Sequence, residues 1–191
     1  MLLDPNSEID QACESFDEEN VVVESTLDAL MTAFPKNLEL THVHIKVITI
    51  SQLYRARVKN IDAEPLASHI WSIPDLDDLL AAGSPKVVSL MHDCKTTRSK
   101  YYSFATKFCS WHNPEAYSLW DYNVDEALWS YKRQDAFARF NRYELRDYPR
   151  FVSIVKEFSE HYGLQRHSLK NIDKFLWRVG ATLLKGSETP A

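Results

Sequence analysis

Residues 99–122 read SKYYSFATKFCSWHNPEAYSLWDY. The first part, about Ser99 to Trp111, has helical character and is stopped by Asn113-Pro114, because a proline and its predecessor do not continue a helix. A short turn then delivers Asp121 between Trp120 and Tyr122 at the start of another helix, 121–131, whose Val124, Leu128 and Tyr131 share one face. An aspartate in that position accepts N–H bonds from the first helical turn, and the positive end of the helix favours its charged form. It is therefore either an ordinary helix cap or a carboxylate available to stabilise a sugar cation in glycosidic bond cleavage.

Outward from this stretch the pattern stays helical. The segment 41–58 has alternating β-branched residues, yet Ile45, Ile48, Gln52 and Leu53 fall at helical spacing and the run is long for one strand, so a helix is expected. Asp62 is expected to cap a helix to about Ile73, Pro74-Asp75 to open one through Leu80, and Ser84-Pro85 to start one over 85–93. The polar hinge Cys94-Lys95-Thr96-Thr97-Arg98 precedes the decisive stretch. Asp147 begins an amphipathic helix ending at Gly163, with Phe151, Ile154, Val155 and Phe158 on one side. Ser168 caps a last one, where Ile172, Phe175, Leu176, Val179 and Leu183 align. Ser25 reads as the cap of a short helix, 26–34. The expected fold is all-α, a compact domain of eight or nine helices.

The 191 residues include only 4 Gly, too few for a hairpin-rich β protein, and 45% hydrophobic residues, enough for a packed core. Residues 1–40 contain ten acids against Lys36 alone, so the remaining 151 hold 17 acids and 21 bases. Residues 1–20 are read as an acidic, flexible arm available to a protein partner or as a loosely docked segment, 21–185 as one helical domain, and 186–191 as a frayed tail. A mildly basic body fits a phosphate-bearing partner or simply a solvated surface. The three cysteines imply no disulfide framework and, with no signal-peptide pattern and no long apolar run, point to a cytoplasmic protein without a membrane partner. No metal is expected: His42/His44, His92/Cys94 and Cys109/His112 are isolated pairs. No cofactor is expected, since no glycine-rich phosphate loop is present.

The pattern YSFATKFCSWHNPEAYSLWDYNV, preceded by KVITISQLYRARV and followed by KNIDKFLWRVG, resembles bacterial members of the helix-hairpin-helix DNA glycosylase superfamily, the 8-oxoguanine DNA glycosylase-like proteins. The resemblance covers roughly residues 40–180. It implies a fold of two helical lobes, with 85–93 and 99–111 as the two helices of a DNA-gripping hairpin, and duplex DNA as the partner of a monomeric enzyme of base excision repair. It implies Asp121 as the catalytic carboxylate, and Lys100, 21 residues earlier, as the counterpart of the lysine that attacks the sugar in members with lyase activity. The other reading of Lys100 is a solvated helix-start lysine. The family's Gly-x-Gly hairpin turn is absent, and Lys95 and Arg98 would replace its amide contacts by charge. Trp120, Tyr122 and Tyr102 are candidates for stacking on an extruded base; most other aromatics, Trp129 and Trp177 among them, read as core. Arg139 and Arg142, in a run with Arg133, Arg146 and Arg150, track a phosphate backbone or line a solvated helix face. The implied activity is excision of a damaged or modified base, 8-oxoguanine-type; the alternative is an inactive helical module of the same fold that binds nucleic acid or protein.

Overall fold

The computed structural model describes residues 2–187. Among them are nine α-helices, one 3-10 turn and no strand: α1 Pro5–Ala33, α2 Leu40–Leu53, α3 Asn60–Trp71, α4 Leu76–Ala81, α5 Lys86–His92, α6 Tyr102–His112, α7 Tyr122–Asp135, the turn Arg142–Arg146, α8 Tyr148–His161 and α9 Leu169–Ser187. The all-α expectation is met, and none of these helices is long and apolar enough to cross a membrane. The chain divides into two compact units, one of residues up to Asn20 together with those from Ser118 onward, the other of Val21–Tyr117. The sequence reading takes 21–185 as one helical domain, for which the resemblance implies two helical lobes.

Where an arm was expected, residues 5–20 are helical, continuous with the helix read as starting at 26. Ile9, Ala12 and Phe16 recur at helical spacing and are buried, which the density of acids conceals in a compositional reading. Those acids meet cations of the same unit: Asp17 with Lys174 at 2.5 Å, Glu19 with Arg178 at 3.0 Å, and Asp10 with Arg166 at 3.7 Å. Of the tail read as frayed, Gly186 and Ser187 end α9 and the rest lies outside the described residues.

In the unit of 21–117, α2 packs on α3 and α6, and α5 on α6. Val43, Val47 and Ile50, Leu66 and Ile70, Val87 and Met91, and Phe104 and Phe108 are buried there. Lys46 is buried with them, its ammonium donating to Asn37 Oδ1 (2.9 Å), Lys36 O (3.3 Å) and His112 Nε2 (3.0 Å). Burial lowers its pKa to about 8 and that of His112 to about 4. A buried cation is tolerable only when its donors are all used, as here. Asp62 does not cap α3. The helix begins two residues earlier, and the buried Asp62 carboxylate reaches across to the segment before α6.

The other unit is organised by α7 and α9, with Tyr131, Phe158 and Phe175 at its aromatic centre. The two helices approach so closely that a Cβ at Gly180 would lie 1.9 Å from Asn123 O. Gly180→Ala should therefore force the helices apart and lower stability by about 3 kcal/mol or more, read from denaturant midpoints at constant slope; a neutral effect would mean that the contact relaxes without cost.

Candidate functional site around Asp121

The turn expected before Asp121 is built from two directions. In the preceding unit, Asn113 ends α6 and its amide donates to Leu80 O (3.2 Å) and Ala81 O (3.0 Å). From Ser118 onward the chain belongs to the α7–α9 unit, where each residue up to the helix start is fixed. Tyr148 Oη donates to Ser118 O at 3.1 Å. The Ser118 hydroxyl donates to Asp173 Oδ1 at 2.5 Å and Leu119 N to Asp173 Oδ2 at 2.7 Å. Asp121 then caps α7, accepting from Asn123 N at 3.0 Å and Val124 N at 3.1 Å. Two residues on, Gly180 abuts Asn123 O. One face of α9, through Asp173 and Gly180 seven residues apart, thus holds the chain on both sides of Asp121.

Trp120 is buried, with the Arg146 guanidinium 5.3 Å from its ring centre, and Tyr122 is exposed. Asp121 itself is partly exposed, so its carboxylate is fixed without being sealed off. Burial pushes the Asp173 carboxyl up to about 8 against the pull of the Ser118 and Leu119 hydrogen bonds, and the charge of Asp121 pushes it the same way. Near neutrality the Asp173 carboxyl is therefore chiefly neutral.

The residues selected from sequence divide between the two units. Asp121, Trp120, Tyr122, Arg139 and Arg142 belong to the α7–α9 unit; Lys95, Arg98, Lys100 and Tyr102 belong to that of 21–117. Arg142 is clamped by Asp125 and Glu126, each at 2.6 Å, whereas Arg139 is exposed. Lys100 is 49% exposed, its ammonium 3.4 Å from Cys94 O and 4.0 Å from Asp93. Tyr102 stands edge-on to His92. In the hinge, Arg98 N donates to Asp62 Oδ1 at 3.0 Å and Tyr101 Oη to Asp62 Oδ2 at 2.5 Å. Those bonds hold the Asp62 carboxyl below the usual carboxylate range. This hinge amide is thus occupied by a side chain of the same unit. Among the described residues no three His, Cys, Asp or Glu side chains stand together as a metal site.

Sequence reasoning missed Asp173, Ser118 and Gly180. The signal available was an acid and a glycine seven residues apart, both on the otherwise apolar flank of α9.

The linkage of Asp173 has a definite sign. Its carboxyl moves from 3.8 to about 8, so the folded protein holds a proton that the unfolded chain releases. That contribution to stability is complete below pH 3.8 and is lost as pH rises through 8, at a slope approaching about 1.4 kcal/mol per pH unit in between. Asn reproduces the protonated acid, accepting from Leu119 N and donating to Ser118 Oγ. Asp173→Asn should keep the fold and flatten this pH dependence in urea titrations, and an unchanged profile would place its origin elsewhere. Asp173→Ala, which strands two buried donors, should cost about 2 kcal/mol or more at pH 5.

Residues 8–116 match the model of the family HI_0787_N, an N-terminal domain. Asp121 lies beyond the matched residues. A protein of Haemophilus influenzae, named "Uncharacterized protein", is 35% identical over 125 residues, which are 64% of this chain and 59% of that protein. The chain thus spans about three fifths of the length of the curated relative it matches. No solved structure matches. The family model spans more than half of the chain's 191 residues, and the chain belongs to the HI_0787_N family.

Proposed function

We propose that this chain is a DNA glycosylase-like protein that takes a damaged or modified base, 8-oxoguanine-type, out of the duplex and cleaves its N-glycosidic bond. The observation that carries the reading is the fixed, partly exposed carboxylate of Asp121, which follows a helix and a proline turn and is braced from both sides by α9. The resemblance of residues 40–180 to helix-hairpin-helix glycosylases supports the same assignment, with α5 and α6 as the hairpin.

Asp121 acts on the sugar. As the bond to the base breaks, its electron pair leaves with the base and positive charge develops on C1′ and the ring oxygen. A carboxylate already oriented by Asn123 N and Val124 N stabilises that charge without having to reorganise. Water then adds at C1′, giving an abasic site and the free base. Trp120 and Tyr122 flank this position, the exposed Tyr122 being the one able to stack on a base. In a lyase branch the Lys100 amine attacks C1′ in place of water, expels the base and forms a Schiff base.

A second reading, an inactive nucleic-acid-binding module, is favoured by the hinge: Arg98 N is held by Asp62, and Arg142 is held by Asp125 and Glu126. The two separate in one assay on duplexes containing 8-oxoguanine, uracil or an abasic site. The glycosylase should release base, and Asp121→Asn should reduce release by about 100-fold or more while leaving DNA affinity unchanged. Borohydride trapping that disappears in Lys100→Ala would add the lyase branch. Salt-dependent binding with no base release would leave the module alone.

A further inference from the structure

The loop between α2 and α3, Tyr54-Arg55-Ala56-Arg57-Val58-Lys59, contains two of the four non-glycine residues of positive φ among the described residues: Arg55 at 48° and Arg57 at 57°. Left-handed backbone is unfavourable for any side chain, and glycine would adopt it freely. Arginine at both positions is therefore a choice the backbone disfavours, and such outliers persist only where the surroundings impose them.

The surroundings do. Ala56 N donates to Ser51 O and Val58 N to Ser51 Oγ, both at 3.0 Å. Lys59 N donates to Tyr101 Oη at 3.3 Å, and Tyr54 O accepts from the buried Lys107 ammonium at 3.0 Å. With these backbone groups engaged inside the unit, the side chains of Arg55, Arg57 and Lys59 are exposed. Tyr101 Oη also bonds Asp62, the carboxylate that takes Arg98 N. One buried tie thus joins this loop to the hinge, where Lys95 and Arg98 are exposed as well. Among the described residues none of these five cations is within 4.0 Å of a carboxylate.

We propose that Arg55, Arg57 and Lys59, together with Lys95 and Arg98, form a surface that binds the phosphodiester backbone of duplex DNA. Its chemistry is that of a spread polyanion site. Engaged backbone amides build no cradle for a single phosphate, whereas cations distributed over two tied loops neutralise successive phosphates and release their counterions. Arginine at the strained positions suits phosphate better than lysine, since its guanidinium presents paired donors. All five cations lie within the residues that match the family. The inference rests on the nucleic-acid part of the proposed function and not on catalysis.

The test is fluorescence anisotropy of the full chain with a labelled duplex of about 20 base pairs across a salt series. Arg55→Gly/Arg57→Gly should bind more weakly, with the log–log salt slope reduced by about 2, while its melting temperature is unchanged or raised. Arg55→Lys/Arg57→Lys should retain the slope. Wild-type slope and affinity in the glycine variant would overturn the proposal, as would a wild-type chain that binds phosphatidylcholine–phosphatidylglycerol vesicles but no duplex. Base release is scored in parallel. Salt-dependent binding without release leaves this surface standing and removes the glycosylase reading; release with undiminished binding by the glycine variant does the reverse.

Discussion

The contact between α9 and the first turn of α7 governs the α7–α9 unit, and it exists because Gly180 has no Cβ where the Asn123 carbonyl stands. Two helices that meet at backbone level fix each other's axial position closely, since no long side chain can flex to absorb a displacement. Asp173, two helical turns back along α9, then falls beside Ser118 and Leu119. The position of Asp121 is consequently a property of how two helices pack. A loop with only its own hydrogen bonds would be held less closely.

Three of the buried ionisable side chains among the described residues are handled differently. Lys46 keeps its proton at the cost of a lowered affinity for it and uses its donors on Asn37, Lys36 O and His112. Asp125 stands against the Arg142 guanidinium. Asp173 is neutralised by protonation, because two neutral donors do not offset its complete desolvation. Burial brings the Lys46 ammonium and the Asp173 carboxyl alike to about 8, so each ties its local structure to a proton near neutral pH, and Asp173 is the one adjoining Asp121.

Much of the helical plan was legible because it is local. Asp147 and the apolar faces of α8 and α9 are read from neighbouring residues, and so is Asp121 as a cap. What escaped depends on distant partners. Asp62 looked like a helix cap, yet its carboxylate serves Tyr101, 39 positions away. Asp173 acquires its role only through Ser118, 55 positions away. The acids of residues 1–20 suggested an arm because their cations, Lys174 and Arg178, lie at the other end of the sequence. Net charge summed over a window conveys nothing about partners outside it.

Asp62 also bears on how the hinge can change over time. A turn that grips phosphate through bare amides needs glycine at fixed places, and replacing one of them loses the grip at a stroke. Here Asp62 occupies the Arg98 amide, so the turn holds with ordinary side chains and does not require glycine. On the proposed DNA-binding reading, attraction for a polyanion would reside in separate side-chain charges, each of which can be added or removed without disturbing the backbone. Such an affinity would be a graded quantity, adjustable one residue at a time and set as much by the salt of the surroundings as by the shape of the turn.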